Sequence, residues 1–439
     1  MKSSNLFKNP IILGTVLLSG AGVSSRFMGF FFRIFLSRTI GAEGLGLYQL
    51  VMPIITLSFA ATACGYQTAI SKFVAQSKET AKGYFLTGIF LSCASALVLS
   101  IILYQNSIWI AVNIFGNAKC YSLIQIAAIS ITPCAFHSCV NGFYYGLKKA
   151  TLPALSQIIE QMVRIASVYI IYMVLSSQGN ALLPAHAMWG ITLSEIAGML
   201  FFLSILLIKQ PLADFPSPGS LKNYCSLIGP LYAISLPITA NHLIQNICSS
   251  FENILIPQKL CSYGLSDSDA LGIYGILCGV ALPVIFFPGV ITNSLSVLLL
   301  PKISQDNAEN NTNELSSTLK KAIRYGLLLG FCFTIIFLLT GRFIGERIFA
   351  SAYASAFICK LSWLCPFMYT NSLLASILHG LGRPGHVLLI NILSSAIRIS
   401  MIVFLVPKYG VDALLWGMLI SQIYTTVAMF YNLKNYSAN

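Results

Sequence analysis

The sequence predicts an all-α polytopic membrane protein of about twelve transmembrane helices, arranged as two pseudo-symmetric six-helix lobes with a central cavity. Three observations carry that prediction. Of 439 residues, 56% are apolar and 9% charged, where an ordinary soluble chain is roughly a quarter charged. Apolar stretches of about 20 residues, the length that crosses ~30 Å of hydrocarbon as helix, recur from end to end with short polar breaks. The third is that the two halves of the chain match each other in order.

The spans fall near 10–36, 46–71, 84–104, 121–146, 151–176, 187–208, 225–257, 271–300, 322–341, 357–381, 386–406 and 411–433, and no gap between them is long enough for a soluble domain. The first follows Lys2 and Lys8, outlasts a signal-peptide core and lacks a small-residue cleavage pattern, so it is expected to remain as a helix. Its stretch GVSSRFMGFFFRIFLSR carries Arg26, Arg33 and Arg38. Arg26 and Arg33 return to within about 20° of the same helix face, ~10 Å apart. The fifth span places Glu160 and Arg164 at i, i+4, where the two can pair structurally. The sixth holds Glu195. A cytoplasmic linker, 209–224, with three prolines in IKQPLADFPSPGSLKNY, separates an N-lobe (1–208) from a C-lobe (225–439). The seventh span presents a polar stripe of His242, Gln245, Asn246, Ser249 and Asn253, with Glu252 at its edge. The eleventh holds Arg398.

Sliding the chain against itself aligns GLGLYQL (44–50) with ALGIYGI (270–276) and ISKFVAQSKE (70–79) with LPKISQDNAE (300–309). Gly146, Lys149, Gln157 and Arg164 then meet Gly380, Arg383, Asn391 and Arg398 at an offset of 234, and Trp189, Gly190 and Ser194 meet Trp416, Gly417 and Ser421 at 227. Six spans per repeat is an even number, so both repeats enter the membrane in the same orientation. Two like-oriented lobes imply a transporter that works by alternating access.

With the N-terminus in the cytoplasm, fifteen of the 26 lysines and arginines fall inside, seven outside and four within spans. That is the positive-inside bias. It places both termini in the cytoplasm and accounts for the net charge of +13 without a nucleic-acid partner. Twelve scattered cysteines form no CxxC pair and no metal-ligand cluster, and no HExxH or GxSxG motif is present. No enzyme activity, metal or cofactor is expected. The lone histidines His137 and His379 read as hydrogen-bonded packing residues.

Seven ionisable residues lie within spans: Arg26, Arg33, Glu160, Arg164, Glu195, Glu252 and Arg398. At roughly 2.5–3.5 kcal/mol each on insertion scales, they are expected to face protein or water. Arg398 has Ser394 where Arg164 has Glu160, so it lacks an acidic partner on its own helix and is the better ligand candidate. Arg33 either joins the stripe begun by Arg26 or snorkels outward. Glu252 and Glu195 are expected to balance the cavity arginines.

SRFMGFFFR followed by LSRTIGAEGLGLYQLVMPI resembles the first two helices of the multidrug, oligosaccharidyl-lipid and polysaccharide (MOP) exporter superfamily. The pattern is similar to its polysaccharide and lipid II flippase branch, nearest to stage V sporulation protein B-like proteins. The likeness continues through ALPVIFFPGVITNSLSVLLLPKIS (281–304) and GLGRPG (380–385) and covers nearly the whole chain. It implies a V-shaped, two-lobe flippase of the bacterial plasma membrane, working as a monomer, whose cavity arginines bind the diphosphate of an undecaprenyl-linked saccharide. Arg26 matches the first arginine of that pattern. The second is displaced by one place, from Phe32 to Arg33. Members of the branch carry two further C-terminal helices for the lipid tail; with twelve spans, the tail is expected between the lobes, or the substrate differs. Two other readings stay open. One is a cation-coupled multidrug antiporter of the same superfamily, which needs membrane carboxylates: the first span has none between Lys8 and Glu43, leaving Glu252 to serve. The other is a non-transporting scaffold.

Overall fold

A computed structural model describes residues 10–213, 215–216, 221–309 and 312–438; part of the expected linker, at 214 and 217–220, lies outside the described residues. The helices run in chain order as α1 (Pro10–Thr39), α2 (Gly41–Gln76), α3 (Lys78–Gln105), α4 (Ala118–Gly146), α5 (Thr151–Ser177), α6 (Pro184–Lys209) and α7 (Leu221–Ser262). There follow α8a (Asp267–Phe286), α8b (Gly289–Ala308), α9 (Thr312–Phe343), α10 (Ala352–Gly380), α11 (Pro384–Phe404) and α12 (Val411–Ala438). Among the described residues, eleven segments from α2 onward are long and apolar enough to cross a membrane, and no strand occurs. The eighth expected span, 271–300, is a correction: the helix breaks at Phe287 and Pro288, where proline cannot donate to the preceding turn.

Local chemistry sets the boundaries. Ser77, Ser266 and Ser351 accept hydrogen bonds from the backbone N–H of Glu79, Asp269 and Ala354, satisfying donors that a helix start leaves unpaired. Pro184 and Pro384 open α6 and α11, where their missing N–H costs nothing. Gly41 separates α1 from α2 with φ +70°.

The repeat is written into the backbone. A wide π turn at Ile110–Ile114 recurs at Ile344–Ile348, and left-handed residues at Gly116 and Lys148 recur at Ala350 and Gly382, all at the offset of 234. The same irregularities at matching places are not a product of apolar composition.

Two compact units divide the chain: Met1–Phe32 with Leu50–Ile247, and Arg33–Gln49 with Cys248–Asn439. The lobes expected from chain order, 1–208 and 225–439, are cut differently, because α1, α2 and α7 each contribute to both units. Glycines explain the grouping. A methyl group at Gly65 of α2 would collide with the Ser235 carbonyl and the Thr239 hydroxyl of α7, so only glycine lets those helices lie together in the first unit. In the second, Gly46 of α2 lies on the Leu271 carbonyl, and Gly275 on the backbone of Ala42 and Gly46, so the two repeat-matched stretches pack on each other.

The first unit is centred on Tyr66, Ile70, Phe85, Phe143, Phe202 and Leu231, drawn from α2, α3, α4, α6 and α7. The second is centred on Ile303, Leu374, Ile377, Leu378, Ile390 and Met429, from α8b, α10, α11 and α12.

Candidate functional site

In the second unit, Arg398 of α11 grips Glu252 of α7 with two parallel bonds, Nε to Oε2 at 2.8 Å and Nη2 to Oε1 at 2.9 Å. Its remaining reach is spent on Ser394, Ser395 and Ser421, at 3.2, 3.0 and 3.3 Å. The guanidinium without an acid on its own helix thus has one from 146 residues away. Side-chain exposures of 21% and 14% mark the pair as mostly withdrawn from solvent. Arg33 is half-buried and donates to the Gly279 carbonyl at 3.4 Å, inside the π turn Leu277–Ala281 of α8a. Cys278 feels both the Arg33 guanidinium and the Glu252 carboxylate, and Asn253 is half-buried beside Glu252. Arg38 instead closes a helix end, donating to the carbonyls of Arg347 and Ile348 at 2.8 and 2.9 Å.

In the first unit, Arg26 is exposed on α1, flanked by the exposed rings of Phe27 and Phe31. Its helix runs beside α5, where Gly29 stands against the Gln161 amide and Ser25 donates to the Gln157 carbonyl at 3.5 Å. On α7, His242, Gln245 and Asn246 are half-buried. The expected pairing of Glu160 with Arg164 along α5 gives way to a serine on α5 and to partners on α4 and α6. Glu160 accepts from Ser156 at 2.5 Å and lies 3.6 Å from Nδ1 of His137. Arg164 donates to Ser194 at 3.1 Å and stands 3.8 Å from Glu195. Packing of α5 against α6 offers Arg164 partners with better reach than its own helix does, while Glu160 keeps a hydroxyl partner on α5 and faces α4.

Between them sits His137, whose Nε2 is 2.6 Å from Glu195 Oε2. The sequence reads this histidine only as a hydrogen-bonded packing residue and gives it no part in a site. The available signal lay in the repeat, since the positions matching 137 and 195, Asn371 and Gln422, are polar too. Cys134, His137 and Glu195 hold donor atoms within 4.8 Å of one another, a spacing a metal ion could use. A cation there would have to break the His137–Glu195 bond beside the Arg164 guanidinium, so the cluster fits an ionic network better than a metal centre.

Residues 11–305 match the family described as polysaccharide biosynthesis protein. The chain is similar to stage V sporulation protein B of Bacillus subtilis (strain 168), with 26% identity over 413 residues, covering 92% of this chain and 80% of that protein. Its fold is similar to that of lipid II flippase MurJ in an inward closed conformation, with a TM-score of 0.73, 17% identity and coverage of 95% and 87% of the two chains. It is also similar to an inward-facing multidrug resistance MATE family transporter of the MOP superfamily, with a TM-score of 0.72, 16% identity and coverage of 95% of each.

Proposed function

The chain belongs to the polysaccharide biosynthesis protein family, and from that premise we propose that it flips an undecaprenyl-diphosphate-linked saccharide, a lipid II or polysaccharide precursor, from the inner to the outer leaflet by alternating access. It is a multi-pass membrane protein of the MOP flippase type. The finer reading sets it in a bacterial plasma membrane as a monomer, with both termini in the cytoplasm.

The observation that carries the reading is the two-point grip of Arg398 on Glu252, at 2.8 and 2.9 Å. A phosphate offers a guanidinium the same pair of oxygens, with more charge. Substrate diphosphate would take Arg398 and release Glu252, which returns when the head leaves. Arg26 and Arg33 supply further positive charge, and His242, Gln245, Asn246 and Asn253 supply polar contacts for the head. The protein provides a path and breaks no bond. Outward movement of an anionic head runs with an inside-negative potential, by ~2.3 kcal/mol per net charge per 100 mV. Glu252, the carboxylate that a cation-coupled multidrug antiporter would need, is already engaged by Arg398.

The test is a headgroup-accessibility assay in proteoliposomes under a valinomycin-set potassium potential, comparing lipid II, a simpler polyprenyl diphosphate sugar and a cationic dye. Movement of a polyprenyl diphosphate substrate that follows the potential is expected. Transport of the dye alone would overturn the reading in favour of the antiporter, and no transport in favour of the scaffold.

A further inference from the structure

Four side chains from three helices meet inside the first unit: His137 of α4, Glu160 and Arg164 of α5, and Glu195 of α6. His137 is only 7% exposed, and among the described residues its Nδ1 has no hydrogen-bond partner. With the imidazole neutral and its proton on Nε2 toward Glu195, the Nδ1 lone pair confronts the Glu160 carboxylate across 3.6 Å. With the proton on Nδ1 instead, Nε2 confronts Glu195 across 2.6 Å. Either tautomer leaves two acceptors facing each other. One more proton satisfies both ends of the ring.

Charge leads to the same count. Two carboxylates and one guanidinium carry one net negative charge, which is costly to hold out of water; a proton on the imidazole cancels it. Among the described residues, the groups facing His137 are Cys134 on its own helix, Glu160 from α5 and Glu195 from α6, with Arg164 of α5 beside Glu195. Among the described residues, α2 and α3, which also pack on α4, bring no charged side chain to it.

The second repeat is an internal control. At the offsets of 234 and 227, His137 and Glu195 become Asn371 and Gln422, Glu160 becomes Ser394, and Arg164 and Ser194 stay arginine and serine at 398 and 421. Asn371 donates to the Gln422 side chain at 2.8 Å, where His137 meets Glu195 at 2.6 Å. Arg398 bonds Ser421 as Arg164 bonds Ser194. The architecture is retained and every proton-exchanging group within it is replaced by a neutral one.

We propose that the α4–α5–α6 junction of the first unit is a proton-binding site, with His137 between Glu195 and Glu160, and that one proton taken up there from water and released on the opposite side accompanies each transport cycle. The coupling rests on the transporter reading above; the proton site does not. Only N–H or O–H bonds form and break. Protonation gives α4 a hydrogen bond to α5 through Nδ1, and its loss leaves Glu160 and Glu195 to repel, so occupancy biases how the three helices pack. A proton moving inward transfers charge in the same electrical sense as an anion moving outward, so gradient and potential act together.

The experiment has two arms, on wild type and on the triple variant H137N/E195Q/E160S, which copies the second repeat. In detergent, the thermal transition of the wild type should fall as pH is raised above the ordinary imidazole value of about 6.5, and the variant should lose that component. In proteoliposomes with lipid II as probe, clamped at zero potential, a gradient of one pH unit should speed wild-type flipping and shift the steady-state distribution of lipid II between leaflets by up to about tenfold, the factor a single coupled proton allows. If the triple variant does not survive purification, His137→Asn alone gives the same comparison. A wild type that flips lipid II with no gradient response, or a His137→Asn protein that keeps the full response, overturns the coupling. Identical pH profiles in the first arm overturn the proton site. Absence of all flipping with the pH-dependent transition intact sinks the transporter reading and leaves the site standing.

Discussion

Arg398 and Glu252 are each other's principal charge partner in a mostly buried setting, so removing one strands the other. Arg398→Ala should destabilise the protein by about 3–5 kcal/mol, the usual cost of an uncompensated buried charge, while replacing both with apolar residues should recover much of the loss; thermal unfolding of the two single variants and the double variant checks this. Arg26 is exposed on α1, so Arg26→Ala should express normally and fail in the lipid II assay. Arg164→Ala should instead lower folded yield, because Glu195 loses the guanidinium beside it and the cluster loses its fixed positive charge. Normal transport by Arg26→Ala would remove that arginine from the diphosphate path. The sequence made the ionisable residues conspicuous, since each is expensive in a membrane. It could not pair them: Glu252 lies 146 positions from Arg398 and His137 lies 58 from Glu195, and pairing at that range is decided by helix packing. Serine at 394 correctly marked Arg398 as lacking a local acid, but the inference stopped one helix short of the acid it found.

Among elements, the irregular turns carry more information than the regular spans. Two left-handed positions shared by the repeats have glycine in one and a side chain in the other: Gly116 against Ala350, and Gly382 against Lys148, with φ values of 69°, 54°, 73° and 58°. A Cβ is strained in that region, so Ala350→Gly and Lys148→Gly should each stabilise by on the order of 1 kcal/mol, less the entropy that glycine adds to the unfolded chain. A raised detergent melting temperature would show it. The spans were legible because apolar length needs no tertiary knowledge. The break between α8a and α8b was not, because proline alone does not mark one: Pro53 and Pro133 sit inside unbroken helices.

For the molecule as a whole, the internal repeat was visible in the sequence as matched residues and returns as matched turns, whereas the assignment of segments to units was invisible, since it depends on where glycine permits backbones to touch. Gly46→Leu should therefore disrupt the second unit although it lies in the first quarter of the chain, a loss that size-exclusion profiles of the purified protein would register. The way α1, α2 and α7 are shared has a practical consequence for anyone wishing to dissect the protein. Severing the chain between Lys209 and Leu221 would not yield two autonomous halves. The upstream fragment would lack 221–247, which fills its own interior at Leu231, and the downstream fragment would lack 33–49, the strip on which Gly275 rests. Produced separately, both pieces should be degraded; produced in the same cell, they should dovetail into an intact transporter, held together by segments that each lends to the other.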